Sequence, residues 1–315
     1  MFGYVLKRLS SSTLIILALS AIVFITTRTL LSGNEATSLA GPKASAADVA
    51  AIAHKLGLDQ PIVFQYLGWL SRAVRGDFGV SPLSGQSNSD LIAQQAPISL
   101  ELAVFSLVIT VAIGIPIGVL TAGSSGKRSD WGTRIPLLVA FAIPGFVSGA
   151  LLLLVATRYV PALYSAVYIP FGDDPLGNLQ MMFLPALSVG IPTSALIAQM
   201  TRSSMLEVLS QPHIATARTH GIPEWKVKYV YALKASLPPI LTLVGVVFGL
   251  LIGSLFITED IFSLPGLGRG VLDAISNRDV GALEAQVVVM AALFILGNLI
   301  VDIVIPMVDR RIVRD

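Results

Sequence analysis

Residues 239–257 read Pro-Ile-Leu-Thr-Leu-Val-Gly-Val-Val-Phe-Gly-Leu-Leu-Ile-Gly-Ser-Leu-Phe-Ile, nineteen residues without a charge. An α-helix of that length rises about 28 Å, close to the thickness of a bilayer core, so the stretch is long enough to cross a membrane. Gly245, Gly249 and Gly253 recur every fourth residue and therefore share one face of that helix. Lipid supplies no hydrophobic drive between helices, so a glycine face that lets backbones approach is a packing surface. It can serve packing within the chain, a subunit interface or the lining of a pathway.

Outward from this segment, five more apolar stretches have similar character: about 9–27, 99–122, 135–157, 182–200 and 287–307. The composition agrees. Of 315 residues, 54% are hydrophobic and 13% charged, against about 25% charged in a soluble domain. The missing charge implies a surface that faces lipid. Pro185 and Pro192 fall in the fourth stretch, which a membrane helix tolerates because its neighbours satisfy the freed carbonyls. The first stretch follows Lys7 and Arg8, exceeds the length of a signal-peptide core and lacks a small-x-small cleavage site, so it is expected to be a retained anchor. Residues 29–98 are polar, with Pro, Gly and Ser and only short amphipathic pieces at 46–56 and 62–74. They are expected to form a small extramembrane domain.

Lys and Arg in short loops set orientation. One side receives Lys7, Arg8, Lys127, Arg128 and Arg134, then Arg202, Arg218, Lys226, Lys228 and Lys234, and finally Arg310, Arg311 and Arg314. The other receives Arg158 with Asp173 and Asp174, and the acidic loop of Glu259, Asp260, Asp273, Asp279 and Glu284 against Arg269 and Arg278. Both termini are therefore expected on the cytoplasmic side and residues 29–98 outside.

Several chemistries are excluded. There is no cysteine, and the net charge of +2 carries no basic stripe for nucleic acid. His54, His213 and His220 are scattered. Gly123-Ser-Ser-Gly-Lys127 has two residues between its glycines where a phosphate loop needs four, and Arg128 follows the lysine. Glu101 and Asp302 lie near span ends and form no mid-span carboxylate pair, which argues against proton coupling. Energy for active transport would have to come from another chain.

The longest polar stretch on the cytoplasmic side runs from Glu207 through Gln211-Pro-His-Ile-Ala-Thr-Ala-Arg-Thr-His-Gly221-Ile-Pro-Glu-Trp225 to Pro238. It reads helix, sharp turn, helix. Gly221 permits a conformation closed to other residues, and Pro223 suits the start of the next helix. This stretch resembles the coupling segment, the EAA loop, of importer-type ABC permeases. Ala215, Thr216, Ala217 and Gly221 stand where that family has Glu, Ala, Ala and Gly. The missing Glu and the displaced Leu-Pro both resemble the peptide-permease branch, with its Thr-Ala-Arg followed by Gly. Leu58-Asp-Gln-Pro-Ile62, Gly76-Asp-Phe-Gly-Val-Ser81, Pro97-Ile-Ser99, Glu259-Asp-Ile-Phe-Ser-Leu-Pro-Gly-Leu-Gly268, Asn277-Arg-Asp279 and Asp309-Arg-Arg-Ile312 look like the first permease subunit of dipeptide and oligopeptide importers.

The resemblance implies an all-α membrane protein of six transmembrane helices. It divides into an N-terminal helix (1–28), an extracytoplasmic segment (29–98) and a five-helix, MetI-like permease core (99–315) with its coupling segment at 203–235. It implies partners: a second homologous permease subunit, two ATPase subunits, an extracytoplasmic substrate-binding protein, a peptide substrate and the lipid of a bacterial inner membrane. ATP and Mg would sit on the ATPase subunits, with no cofactor on this chain. Ala215, Thr216, Ala217, Arg218, Gly221, Ile222 and Pro223 would couple to the ATPase. Asp77, Phe78, Glu259, Pro265, Gly266 and Asp279 would face the binding protein or form a gate. Relatives of the same architecture that handle nickel chelates, haem, glutathione or oligosaccharides remain alternatives. So do an ATPase-independent secondary transporter and a membrane scaffold.

Overall fold

The computed structural model describes residues 2–41, 44–55, 57–81, 83–123, 141–163 and 167–308, with Gly132, Ile135, Pro136 and Val139 besides. Among them the regular structure is helical, save one isolated antiparallel bridge, Val80 to Ser87. In chain order the helices are α1 (Phe2–Ala40), α2 (Ala46–Lys55), α3 (Ile62–Ala73), α4 (Asn88–Gly123), α5 (Gly145–Tyr159), α6 (Pro175–Leu209), α7 (Pro212–Thr219), α8 (Glu224–Ile261), α9 (Leu267–Asn277) and α10 (Val280–Val308). Five are long and apolar enough to cross a membrane: α1 over Leu6–Thr29, α4, α6, α8, and α10 over Val280–Ile303.

The third expected span is helical on both sides of a break, with Ile135, Pro136, Val139, Phe141 and Ala142 in helix before it. Pro144 forces an extended backbone (φ −57°, ψ 139°), and helix resumes at Gly145 for 15 residues, about 22 Å. Residues 137, 138 and 140 of that span lie outside the described residues. α1 does not stop near residue 28; it continues as helix to Ala40. α6 starts where Asp174 accepts from the Gly177 amide (3.0 Å) and Pro175 occupies the first turn. α2 carries a reciprocal cap, with the Asp48 amide donating to Ser45 Oγ and Ser45 N–H to the Asp48 carboxylate.

The chain divides into two compact units: Met1–Arg8, Glu101–Ser263 and Leu296–Asp315 in one, Leu9–Leu100 and Leu264–Ile295 in the other. In the first, α4 and α6 meet at a seam of small residues. A Cβ on Gly114 would stand 2.7 Å from Ile197 Cβ and 2.8 Å from the Ser194 carbonyl, and one on Gly118 would collide with Thr201. The Thr110 and Thr193 hydroxyls hydrogen-bond at 2.8 Å across the same seam. Such contact distances give dispersion and hydroxyl bonding the role that hydrophobic drive has in water. The carboxylates of this unit's span ends have partners: Arg8 pairs with Asp302 at 3.1 Å, and the Tyr168 hydroxyl donates to Glu101 at 2.9 Å. Burial, then the bond to Glu101 and its charge, push the Tyr168 phenol up to about 12.

In the second unit, Phe24 of α1 packs between Tyr66 and Trp69 of α3, with ring centroids 5.6 and 5.8 Å away. Val288 of α10 completes this cluster. Below it, Thr27 Oγ1 donates to Glu284 (2.7 Å) and Arg28 Nε lies 3.1 Å from the same carboxylate, which is 1% exposed. This buried ion pair ties α1 to α10.

Candidate coupling site

α6 ends at Leu209, and Gln211 turns the chain extended (φ −76°, ψ 149°) so that Pro212 opens α7. Two of α7's eight residues, Ile214 and Ala217, point inward and are buried; their spacing of three puts them on one face. Ile214 joins a core with Val119 and Ala122 of α4, Met205 and Val208 of α6, and Val227 and Ala232 of α8. Pro212, His213, Ala215, Thr216, Arg218 and Thr219 lie on the exposed side.

The exit turn is built on Gly221, at φ +74° with nothing within 4 Å of where a Cβ would stand. Its amide reaches the Arg218 carbonyl (3.0 Å), and the Ile222 amide reaches back to Ala217 (3.2 Å), satisfying carbonyls that α7's end would leave open. Arg218 Nε bonds Glu224 Oε1 at 2.7 Å and clamps α7 to the first turn of α8. Pro223 is extended and starts α8. Within α8, Val227–Ala232 forms a π-helical turn, an irregularity common at functional sites. On α4, the Thr121 carbonyl accepts from Arg202 of α6.

Thus Ala215, Thr216, Arg218, Gly221 and Pro223 come together on one exposed surface, Ala217 faces the core, and Ile222 is half-buried. Ile214 is the anchor that sequence reading passed over, though it is the one large aliphatic residue in the stretch 212–219. The arrangement can transmit a push, since a rigid exposed helix is fastened by its inner face to three long helices.

The outer-loop candidates divide. Asp77 is exposed, its carboxylate accepting from the Gly79 amide at 2.8 Å, while Phe78 packs beside the Phe24–Trp69 cluster. Glu259 is fully buried. Asp279 is buried as the cap of α10: it accepts from the Ala282 amide (3.0 Å) and from the Ser81 hydroxyl. Pro265 is exposed, and buried Gly266 precedes α9, whose Leu267 amide donates to Ser99 at 2.8 Å. Within this chain the three α8 glycines meet different surroundings. Gly245 lies against Val301 of α10, with a Cβ 3.0 Å from its Cγ1; Gly249 is buried; Gly253 is exposed with nothing within 4 Å. Among the described residues no three His, Asp or Glu side chains gather as a metal site.

Several apolar helices of membrane length and a fastened helical turn outside them are the organisation of a multi-pass transport permease. Residues 114–314 match the family described as binding-protein-dependent transport system inner membrane component, and residues 1–102 match the N-terminal module of that system. The chain belongs to this family of inner-membrane ABC permeases. It is 34% identical over 312 residues, 98% of both chains, to a probable peptide ABC transporter permease of Sinorhizobium fredii. A putative peptide transport system permease of Brucella suis is 36% identical over the whole of both chains. The glutathione transport system permease of Escherichia coli K12 is 33% identical over 99% of each. Among solved structures, the inward-facing MetNI methionine ABC transporter matches with a TM-score of 0.56 at 17% identity, over 70% of this chain and 97% of that one. At that identity the likeness shows the shared fold.

Proposed function

We propose that this chain is the membrane subunit of an ATP-driven importer of dipeptides or oligopeptides, with both termini cytoplasmic. The observation that carries the substrate class is the end-to-end likeness to relatives described as peptide permeases. The mechanism is alternating access. A second, similar permease subunit pairs with this one, and the pathway lies between them. Two ATPase subunits hold ATP and Mg, and this chain does no catalysis. The exposed side of α7 with the Gly221 turn seats in one ATPase subunit. When ATP draws the ATPases together, α7 moves with them. Its Ile214 anchor carries the motion into α4, α6 and α8 as a rigid-body switch. An external binding protein delivers the peptide to the outer side, where Asp77 and Pro265 are accessible.

The test is ATP hydrolysis by the reconstituted complex with its binding protein, titrated with dipeptides, oligopeptides, glutathione, haem and nickel chelates. Stimulation by peptides supports the proposal. Stimulation by glutathione alone, the reading that the E. coli relative favours, keeps the architecture and replaces the substrate. Absence of any associated ATPase removes the importer mechanism.

A further inference from the structure

We propose that α3 is not part of an aqueous outer domain but lies in the membrane, in the leaflet next to Arg28, with an apolar stripe against lipid. The proposal rests on the reading of α1 as a membrane span.

The first observation is depth. The uncharged run of α1 ends at Arg28, and Phe24, which packs against Tyr66 and Trp69 of α3, lies four residues inside it. Four residues of helix are about 6 Å, within the 5–10 Å at which interfacial helices bury their apolar faces. The Tyr66 hydroxyl goes deeper. It donates to the Leu17 carbonyl at 3.1 Å and lies 2.9 Å from Ser20 Oγ. Leu17 is eleven residues inside Arg28, about 16 Å along the axis. A helix held at this level of a spanning helix is surrounded by acyl chains wherever protein does not cover it.

The second observation is what α3 leaves uncovered. Ile62, Tyr66, Trp69, Leu70 and Ala73 belong to the cluster on α1, so the helix has already buried its strongest apolar face. Yet Val63 (61%), Phe64 (64%), Leu67 (52%) and, just past the end, Val74 (80%) are exposed. At 100° per residue Val63, Val74 and Leu67 fall within about 40° of one another, directly beside the α1-facing residues, and Phe64 borders them. Gln65, Gly68 and Arg72 fill the opposite arc. In water such a stripe is an unexplained apolar patch. At the depth of Phe24 it is the lipid-facing continuation of the α1 contact. Arg72 and the exposed Asp77 after it then mark the return to the headgroups.

The absence of cysteine allows a direct test. Single substitutions Val63→Cys, Leu67→Cys and Val74→Cys are spin-labelled in the complete transporter in proteoliposomes. Collision with oxygen is compared with collision with a water-soluble nickel chelate. Arg72→Cys and Asp77→Cys report the aqueous side. Leu14→Cys and Ile22→Cys, on exposed positions of α1, report lipid. The expected result is a severalfold preference for oxygen at 63, 67 and 74, matching 14 and 22, with the reverse at 72 and 77. Nickel access at 63 and 67 equal to that at 72 overturns the proposal in favour of an aqueous domain. Shielding from both reagents overturns it in favour of a protein partner on the stripe. If positions 14 and 22 also read as aqueous, the membrane reading of α1 has failed and takes the proposal with it.

Discussion

Replacing Gly221 should separate ATP hydrolysis from transport in graded steps. Gly221 sits at φ +74°, and a Cβ there would meet nothing within 4 Å. The penalty for a side chain is therefore one of backbone alone. A left-handed conformation costs an L-residue about 1–2 kcal/mol, less for Asn and more for a β-branched residue, whose χ1 is already restricted. A loss of about 1–2 kcal/mol lowers the population of the native turn, relative to relaxed alternatives, about 5- to 30-fold. Relaxing the turn breaks the Gly221-to-Arg218 and Ile222-to-Ala217 bonds and frees Arg218 from Glu224. The orientation of α7 on its cluster is lost with them. Peptide transported per ATP hydrolysed should fall in the order wild type, Gly221→Asn, Gly221→Ala, Gly221→Val. Gly85 provides the control: it has φ +70°, equally open surroundings and a place in another loop. Gly85→Val should cost similar stability yet keep the transport-to-ATP ratio. The reasoning is refuted if Gly221→Val couples like wild type, or if both valine variants lose coupling equally.

Other expectations follow from the same structure. Ile214→Ala removes a fully buried anchor and should cost about 2–5 kcal/mol, read as a lowered melting temperature in detergent. Thr216→Trp, on the exposed side of α7, should leave the melting temperature unchanged and abolish co-purification of the ATPase. Glu284→Ala strands Arg28 beside a 1% exposed position and should destabilise the chain by about 3–5 kcal/mol; Arg28→Met with Glu284→Leu should recover most of that loss in thermal unfolding. The Tyr168 phenol, pushed up to about 12, should stay protonated in ultraviolet titration after ordinary tyrosines ionise. Its raised value favours the folded state below the ordinary tyrosine range, near 10. That contribution disappears as pH climbs from there toward 12, and Tyr168→Phe should flatten this part of the stability curve.

The spans were legible because membrane length and apolarity are one-dimensional properties, readable at 239–257 without knowing any contact. Where a local element overrides the run, the reading slips. Pro144 interrupts the expected span at 135–157 with helix on both sides of it, and α1 runs on to Ala40 after its apolar content has ended, since helix continues without hydrophobicity. The turn after α7 was legible for a stereochemical reason, Gly221 followed by Pro223. The direction of side chains was not. Repetition of Gly245, Gly249 and Gly253 shows a shared face, but only the neighbouring helix decides that Gly245 meets Val301 while Gly253 meets nothing. Asp279 reads as an outer-loop carboxylate, and only the three-dimensional fold reveals that Ser81 and the Ala282 amide occupy it. The π turn at Val227–Ala232 has no sequence signature at all.

The seam between α4 and α6 and the anchor of α7 belong to one mechanical design. Gly114 and Gly118 bring α4 so close to α6 that a methyl group at either position would meet Ile197 or Thr201. One turn further along α4, Val119 and Ala122 enter the cluster that holds Ile214. A close-packed interior has discrete arrangements rather than a soft continuum, so a displacement of α7 has little compliance to be lost in before it reaches the seam. A helix hung on a flexible loop would dissipate the same displacement locally. On the proposed mechanism, the buried inner face of α7, Ile214 and Ala217, sets the stroke, and the exposed Ala215, Thr216 and Arg218 set the grip. Substitutions in the first group should change the transport-to-ATP ratio with the ATPase still bound, and substitutions in the second should change binding of the ATPase itself. Measuring affinity and coupling ratio on the same variants separates the two, and a set of inner-face variants that weakened only affinity would show that α7 is a docking peg and not a lever.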